Sequence, residues 1–287
     1  VKRTLEVAQL YKIMAYAKPS MFLELRSAYC FANDLFVNAF AQWVGERQFE
    51  CMADVGCGTG LVTQRISHHA KRTVAVDVSP QMLAEMAGLG IETVVDSLPT
   101  LEKMADGLFD VVVSTNTLYY LSPDALNMSG QRMASLLRPG GFLVFNDNWN
   151  AKQIAQGLAK HFDLETTVAA PFSIKAKPGF DRAYHRVEPR FLYLEGLAKA
   201  LKDPGFEPDR ELSELMHRKL FKLVLKNPWL ANFVVLMAPL RRLARMMWAN
   251  DYLLRKFCIT ATPSTCLWVL KKKSPGDRPL IFQPTHV

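Results

Sequence analysis

The sequence predicts an α/β protein built on a doubly wound, mainly parallel sheet. Three observations predict it: short apolar runs of strand length recur from residue 51 onward, helical stretches alternate with them, and a glycine-rich turn directly follows the first run. The runs lie at 51–55, 73–78, 92–95, 109–114 and 142–146, and several are rich in Val, as strands covered on both faces are. Stretches 61–69, 81–87 and 125–137 read as the helices between them, which makes βαβ units, and right-handed crossovers then set the winding.

The chain has 287 residues, 49% hydrophobic and 22% charged, a folded rather than disordered composition. No apolar run reaches the roughly 18 residues of a membrane-spanning helix. The start, Val1-Lys2-Arg3-Thr4-Leu5-Glu6, lacks a basic-then-apolar leader and an initiating Met, which suggests a processed chain. Five cysteines without Cys-x-x-Cys spacing read as reduced thiols. A soluble, cytoplasmic protein is the expectation. Ahead of the sheet, residues 5–44 read as helical, with a break at Lys18-Pro19-Ser20. From about 151 the pattern loosens into a charged segment with several prolines; a second helical tract covers 211–256, and a last strand-like run lies at 265–270.

The strongest local signal is Ala53-Asp54-Val55-Gly56-Cys57-Gly58-Thr59-Gly60, at the end of a strand and the start of a helix. Such glycines permit a tight turn and the close approach of a ligand, and a helix start beyond them offers free N–H groups. The spacing is Gly-x-Gly-x-Gly, not the Gly-x-Gly-x-x-Gly of dinucleotide sites. Asp54 would repel a pyrophosphate and suits a ligand carrying an ammonium group. Asp77 ends the second strand, 17 positions beyond Gly60, where a carboxylate can accept both hydroxyls of a ribose. A glycine turn with a capping Asp is the structural alternative.

With these residues the chain resembles the class I S-adenosylmethionine-dependent methyltransferases of small-molecule type, over approximately residues 50–150. The segment from Asp54 to Gly60 resembles the motif that holds the methionine part of the cofactor, so Asp54, Gly56, Cys57, Gly58 and Gly60 become cofactor contacts by resemblance. Asp77 matches the ribose-binding acid, and Val78 and Met82 fall where apolar side chains flank the adenine. Asp96, Ser97 and Leu98, in Val95-Asp96-Ser97-Leu98-Pro99, are similar to the segment that contacts the adenine amino group. Phe109-Asp110-Val111-Val112-Val113 with Ser114-Thr115-Asn116 resembles the fourth strand and its loop, which brings in Asn116, and Leu137-Arg138-Pro139-Gly140-Gly141-Phe142 resembles the turn before the fifth.

The resemblance implies a single domain with a Rossmann-like, seven-stranded, mostly parallel sheet whose last strand is antiparallel. Residues 1–48 would form an N-terminal helical lid and 49–150 the cofactor-binding core. Residues 151–287 would be a substrate-shaping segment with a helical insertion at about 211–256. It implies S-adenosylmethionine as cofactor, S-adenosylhomocysteine as product, and methyl transfer to O, N or C of a small, largely apolar or aromatic acceptor, as in secondary metabolism. Non-methylating use of the same cofactor, ligand binding alone, and an NAD-dependent oxidoreductase are the alternatives.

Where many members of the family carry an acid or His after the fourth strand, this chain has Leu118-Tyr119-Tyr120-Leu121. Ligands bind at that end of open α/β sheets, so Tyr119 is a candidate catalytic phenol and Tyr120 a candidate substrate contact; packing under the next helix is the rival role for each ring. Asp147, Asn148 and Trp149 leave the fifth strand at the same mouth and are candidate substrate contacts, although Asn and Asp also favour loops and caps. His185 is the candidate base, because an imidazole titrates near neutrality; a solvated His is the rival. The six histidines lack ligand spacing, and no metal is expected.

Net charge is +8, but residues 1–150 hold 12 basic and 15 acidic groups while 151–287 hold 23 and 12. Between 216 and 256 nine basic residues stand against Asp251 alone. Leu240, Leu243, Ala244, Met247 and Trp248 follow helical spacing, with Arg241, Arg242 and Arg245 off that face. Three roles remain open for the tract: a cap over the site, a peripheral membrane contact, or a dock for an acidic carrier protein. Nucleic acid is not expected, since no binding module is recognisable, and oligomeric state is not legible.

Overall fold

The computed structural model describes residues 28–146, 150–170, 173–174, 196–200, 227, 229–230, 232–233, 236–237, 259–260 and 264–274. The chain divides into two units, Phe36–Ala169 with Thr265–Val287, and Lys2–Leu35 with Ala170–Ser264. In the first unit β1 (Phe49–Val55), β2 (Ala70–Asp77), β3 (Glu92–Val95), β4 (Phe109–Thr115), β5 (Leu137–Asn146) and β6 (Phe162–Ala170) are joined by the chain's last strand, Ser264–Lys272. In the second, β7 (Ser173–Ile174) and β8 (Ile259–Thr260) form an antiparallel pair. The last strand is therefore β9, and the seven-stranded sheet has the order β3-β2-β1-β4-β5-β9-β6. β1 pairs in parallel with β2 and β4, β2 with β3, and β4 with β5, whereas β9 returns antiparallel on β5. This is the Rossmann-like sheet that the resemblance implies.

Central strands explain the apolar runs. Met52, Ala53, Val111, Val112, Val113, Leu143 and Val144 are all buried, because helices cover both faces of the sheet. On one face α4 (Pro123–Leu136) lies over the sheet with Leu126, Met133 and Leu136 in the same cluster as Val55, Val112 and Phe145. Ser122 caps α4 by accepting from Ala125 N–H, with Pro123 at its first position. α5 (Ala151–Leu158) packs against α4 closely enough that a Cβ on Gly157 would stand 2.6 Å from Leu126 and one on Gly130 2.8 Å from Leu158. Earlier in the chain, α1 (Ala28–Val44) places Phe36, Phe40 and Val44 at helical spacing in the core, and Trp43 stacks on Phe49 and meets Phe142 edge-on.

Some elements differ from the sequence reading. The helices after β1 and β2 are single turns, α2 (Thr63–Ile66) and α3 (Pro80–Leu83), each extended by a 3-10 turn. α5 and β6 occupy the stretch that reads as loosened from 151 onward. β6 is an edge strand, and its Asp163, Glu165, Thr166 and Thr167 give it no continuous apolar run. Residues 1–27 of the expected lid, and most of the expected insertion at 211–256, lie outside the described residues.

At the amino ends of the strands Asp110 ties three elements together. Its Oδ2 accepts from the N–H groups of Glu50 and Cys51 at 2.8 Å each, and its Oδ1 accepts from Arg138 at 3.0 Å. Asp110→Ala strands the buried Cys51 donor, so the expected loss is about 1–3 kcal/mol. At roughly 2–4 °C per kcal/mol for a domain of this size, a thermal melt reads it directly. Affinity for a ligand at the carboxyl ends of the strands is expected to stay unchanged.

Candidate functional site

The carboxyl ends of β1 to β5 meet around the glycine turn. Gly56 and Cys57 donate from their backbone N–H groups to Val76 O of β2 at 2.8 and 3.1 Å, and Asp96 N–H donates to Asp77 O at 3.1 Å, which draws in the end of β3. On the other side Ser114 Oγ donates to Val55 O, Thr117 Oγ1 to Gly56 O, and Asn116 N–H to Asn146 O of β5. Asn116 makes this crossing in the left-handed region, at φ 52°, which Asn tolerates better than most residues.

The three glycines do different things. Gly56 and Gly60 both have φ +76°, and a Cβ there would stand 2.4 Å from Thr117 Oγ1 and 2.2 Å from Met86 Sδ. These two are required by the chain's own packing. At Gly58, φ +57°, a Cβ would meet nothing within 4 Å. The open space belongs to the middle glycine, whose N–H donates to Asp77 Oδ2 at 2.9 Å.

Asp77 accepts a second N–H, from Ser79, on Oδ1 at 2.9 Å. Burial raises its pKa, and backbone donors from Ser79, Gly58 and Val78 pull the other way. Asp54 is fully buried: Oδ2 accepts from Thr63 Oγ1 at 2.6 Å, while Oδ1 has no hydrogen-bond partner. Loss of hydration pushes its pKa up to about 7, against the Thr63 hydroxyl, which lowers it, and with the Asp77 charge adding to the rise. Cys57 is raised well above its ordinary value, first by burial and then by Asp54 and Asp77. A buried carboxylate oxygen without a partner, in the strand that leads into a turn with an open glycine, suits a ligand that brings positive charge. Such a carboxylate is an acceptor that would suit a ligand carrying an ammonium group, and Asp77 would present its remaining lone pairs to hydroxyls.

Among the other residues the sequence singles out, Asp96 accepts from Ser97 N–H at 2.8 Å and Lys103 N–H at 2.7 Å, one on each carboxylate oxygen. Val78 is half-buried at the exit of β2, and Met82 is buried on α3. Leu98 and Tyr119 are half-buried against the main core cluster, and Tyr120 lies 3.9 Å from Tyr119 between ring centroids. Asp147, Asn148, Trp149 and His185 lie outside the described residues. Sequence reasoning missed Thr63, Ser79 and Thr117. Ser79-Pro80 is a legible helix start, and Ser79 caps α3 by accepting from Met82 N–H at 3.3 Å. Thr63 and Thr117 carry no local signal, because each acts on a residue distant in sequence. No three His, Cys, Asp or Glu side chains cluster to hold a metal among the described residues.

Comparison with known proteins finds methyltransferases. Residues 52–141 match the family described as a methyltransferase domain. The ubiquinone biosynthesis O-methyltransferase of Bordetella avium (strain 197N) is 25% identical over 183 residues, 61% of this chain and 70% of that protein. The malonyl-[acyl-carrier protein] O-methyltransferase of Enterobacter lignolyticus (strain SCF1) is 31% identical over 34% of this chain and 39% of its own length. The magnesium-protoporphyrin O-methyltransferase of Rhodobacter capsulatus is 38% identical over 25% and 34%. The last two matches thus span well under half of those relatives. Among solved structures, the N-methyltransferase NodS from Bradyrhizobium japonicum WM9 with S-adenosyl-L-homocysteine aligns over 52% of this chain and 81% of its own, at 19% identity and a TM-score of 0.44. Residues 52–141 carry a methyltransferase domain, and the similarity to methyltransferases supports S-adenosylmethionine as the cofactor.

Gly58→Ala costs about 1 kcal/mol of stability through its positive φ but places a methyl group in the open space, so cofactor affinity is expected to fall at least tenfold with only a small drop in Tm. Gly56→Ala is expected to show the reverse emphasis, a larger fall in Tm because Thr117 must move. Titration calorimetry and thermal melts on both variants check the contrast.

Asp54 generates a pH dependence. Its folded pKa lies above the model-compound value of 3.8, so its contribution to stability is present in acid and is lost as pH rises from about 4 to about 7. A cationic ligand reverses the preference by favouring the ionised form. Cofactor binding is therefore expected to release close to one proton at pH 6 and almost none at pH 8.5, read from calorimetry in buffers of different ionisation enthalpy. In Asp54→Asn that release is expected to vanish.

Proposed function

We propose that this methyltransferase transfers the methyl group to an oxygen of a small, largely apolar or aromatic metabolite. The observation that carries the reading is the opening at Gly58, flanked by the Asp54 and Asp77 carboxylates and joined through Thr117 to the Tyr119–Tyr120 turn. Asp54 would face the cofactor's ammonium group through the glycine turn, with Gly56, Cys57 and Gly60 shaping the turn. Asp77 would hold the ribose hydroxyls, Val78, Met82 and Leu98 would border the adenine, and Asn116 would close the β4 side. Asp96 keeps lone pairs free after accepting its two backbone donors, enough to receive an adenine amino group. The choice of oxygen is supported by the printed names of the three relatives, all O-methyltransferases.

When bound, the cofactor supplies an electrophilic methyl whose bond to sulfur breaks as its bond to the acceptor oxygen forms, while the acceptor's proton leaves. Alignment and exclusion of water are the main demands of such a displacement. The paired Tyr rings offer an apolar wall with a phenol at its tip; Tyr119 would orient the acceptor hydroxyl and Tyr120 pack on its ring. His185 would take the proton, and Asp147, Asn148 and Trp149 would complete the acceptor's surroundings.

Labelled-methyl transfer to a panel of phenols, carboxylic acids and aliphatic alcohols tests the reading. A product one methyl group heavier, with the label on oxygen, is expected; a converted product of unchanged mass would overturn it. Tyr119→Phe is expected to lower turnover by about 10- to 100-fold while cofactor affinity stays within twofold.

A further inference from the structure

Four large apolar side chains in the second unit stand in solvent: Trp229 at 66% exposure, Phe233 at 51%, Leu236 at 73% and Met237 at 38%. The backbone at 229–230, 232–233 and 236–237 is helical. At about 100° per residue, Leu236, Trp229, Phe233 and Met237 follow one another around an arc of roughly 100°, and Leu230 lies just past Met237. Exposure declines in nearly the same order, from Leu236 and Trp229 through Phe233 to Met237 and the half-buried Leu230. The four therefore form one coherent outward face, not scattered surface residues of the kind that need no explanation.

We propose that this face docks the protein on the surface of an anionic lipid bilayer. The charge that flanks it in the sequence favours that occupant. Lys222 and Lys226 precede the face in sequence, Arg241, Arg242 and Arg245 follow it, and residues 216–256 carry nine basic groups against one acid, a net +8 equal to that of the whole chain. A second copy of the chain would bring a segment of the same net +8, which disfavours self-association through this segment. A bilayer with anionic headgroups takes the apolar side chains at its boundary and the cations above it, needing no directional partner along the stripe. Each Lys or Arg near such a surface strengthens binding about fivefold. Trp229 within the stripe suits the interfacial layer. The apolar stretch of 229–240 is too short to cross the roughly 30 Å hydrocarbon core, and no helix among the described residues is long and apolar enough to do so. The proposal is independent of the acceptor reading, since binding is measured without methyl transfer.

The full chain is sedimented with vesicles of phosphatidylglycerol and phosphatidylcholine, and with phosphatidylcholine alone. Binding to the anionic vesicles is expected to be at least tenfold tighter and to weaken in 0.5 M salt. The exposed-site double variant Phe233→Asp with Leu236→Asp is expected to lose at least tenfold while retaining Tm and cofactor affinity, and Arg241→Glu with Arg242→Glu to lose most of the preference for anionic lipid. Trp229→Phe is expected to remove the vesicle-induced blue shift of the tryptophan emission. Equal sedimentation with and without vesicles would overturn the proposal. So would full vesicle binding by the double Asp variant, or a dimer in gel filtration that this variant dissociates without any vesicle binding.

Discussion

The bond from Gly58 N–H to Asp77 Oδ2 at 2.9 Å is the hinge of the structure. The turn after β1 must reverse into α2 across the end of β2, and three residues with positive φ make the reversal possible. Without an acceptor at the tip of β2 the Gly58 donor would have no protein partner in the turn, and the loop would lose its register against the neighbouring strand. Asp77 supplies that acceptor and, through Ser79, also places the start of α3. One carboxylate thus positions both walls of the opening, and the contacts of Gly56 and Cys57 with Val76 follow from the same arrangement.

That arrangement concentrates acidity in a small volume. Asp54 and Asp77 are both raised by burial, and neither has a cationic side chain among the influences on it. A folded protein holds such groups either by protonating them or by receiving positive charge from outside. Desolvation is the first cause of both shifts, so a cationic ligand would supply the charge partner that burial withholds from the two carboxylates. The cationic surplus of the chain lies elsewhere in the sequence, from 216 to 256.

Much of this was legible before the structure. The strands at 51–55, 73–78, 109–114 and 142–146 announced themselves because central parallel strands are buried on both faces, whereas 92–95, the exposed edge strand β3, was legible through its short β-branched run alone. The edge strand β6 did not, since its exposed face is polar. Gly56, Gly58, Gly60 and Asp77 were legible through spacing, but their division of labour was not: which glycine faces open space depends on Thr117 and Met86, distant in sequence. Thr63 is invisible to pattern reading for the same reason. The apolar face at 229–237 was hidden in another way, because the sequence shows an apolar run, and only the exposures distinguish an outward stripe from a buried one.

The sulfur of Cys57 adds a last consequence. A thiolate in a turn that cradles a methyl donor would be a rival acceptor, soft and strongly nucleophilic. Burial first, and then the Asp54 and Asp77 carboxylates, raise the pKa of this thiol well above its ordinary value. The burial and acidity that raise Asp54 thus also disfavour the thiolate of the neighbouring Cys57.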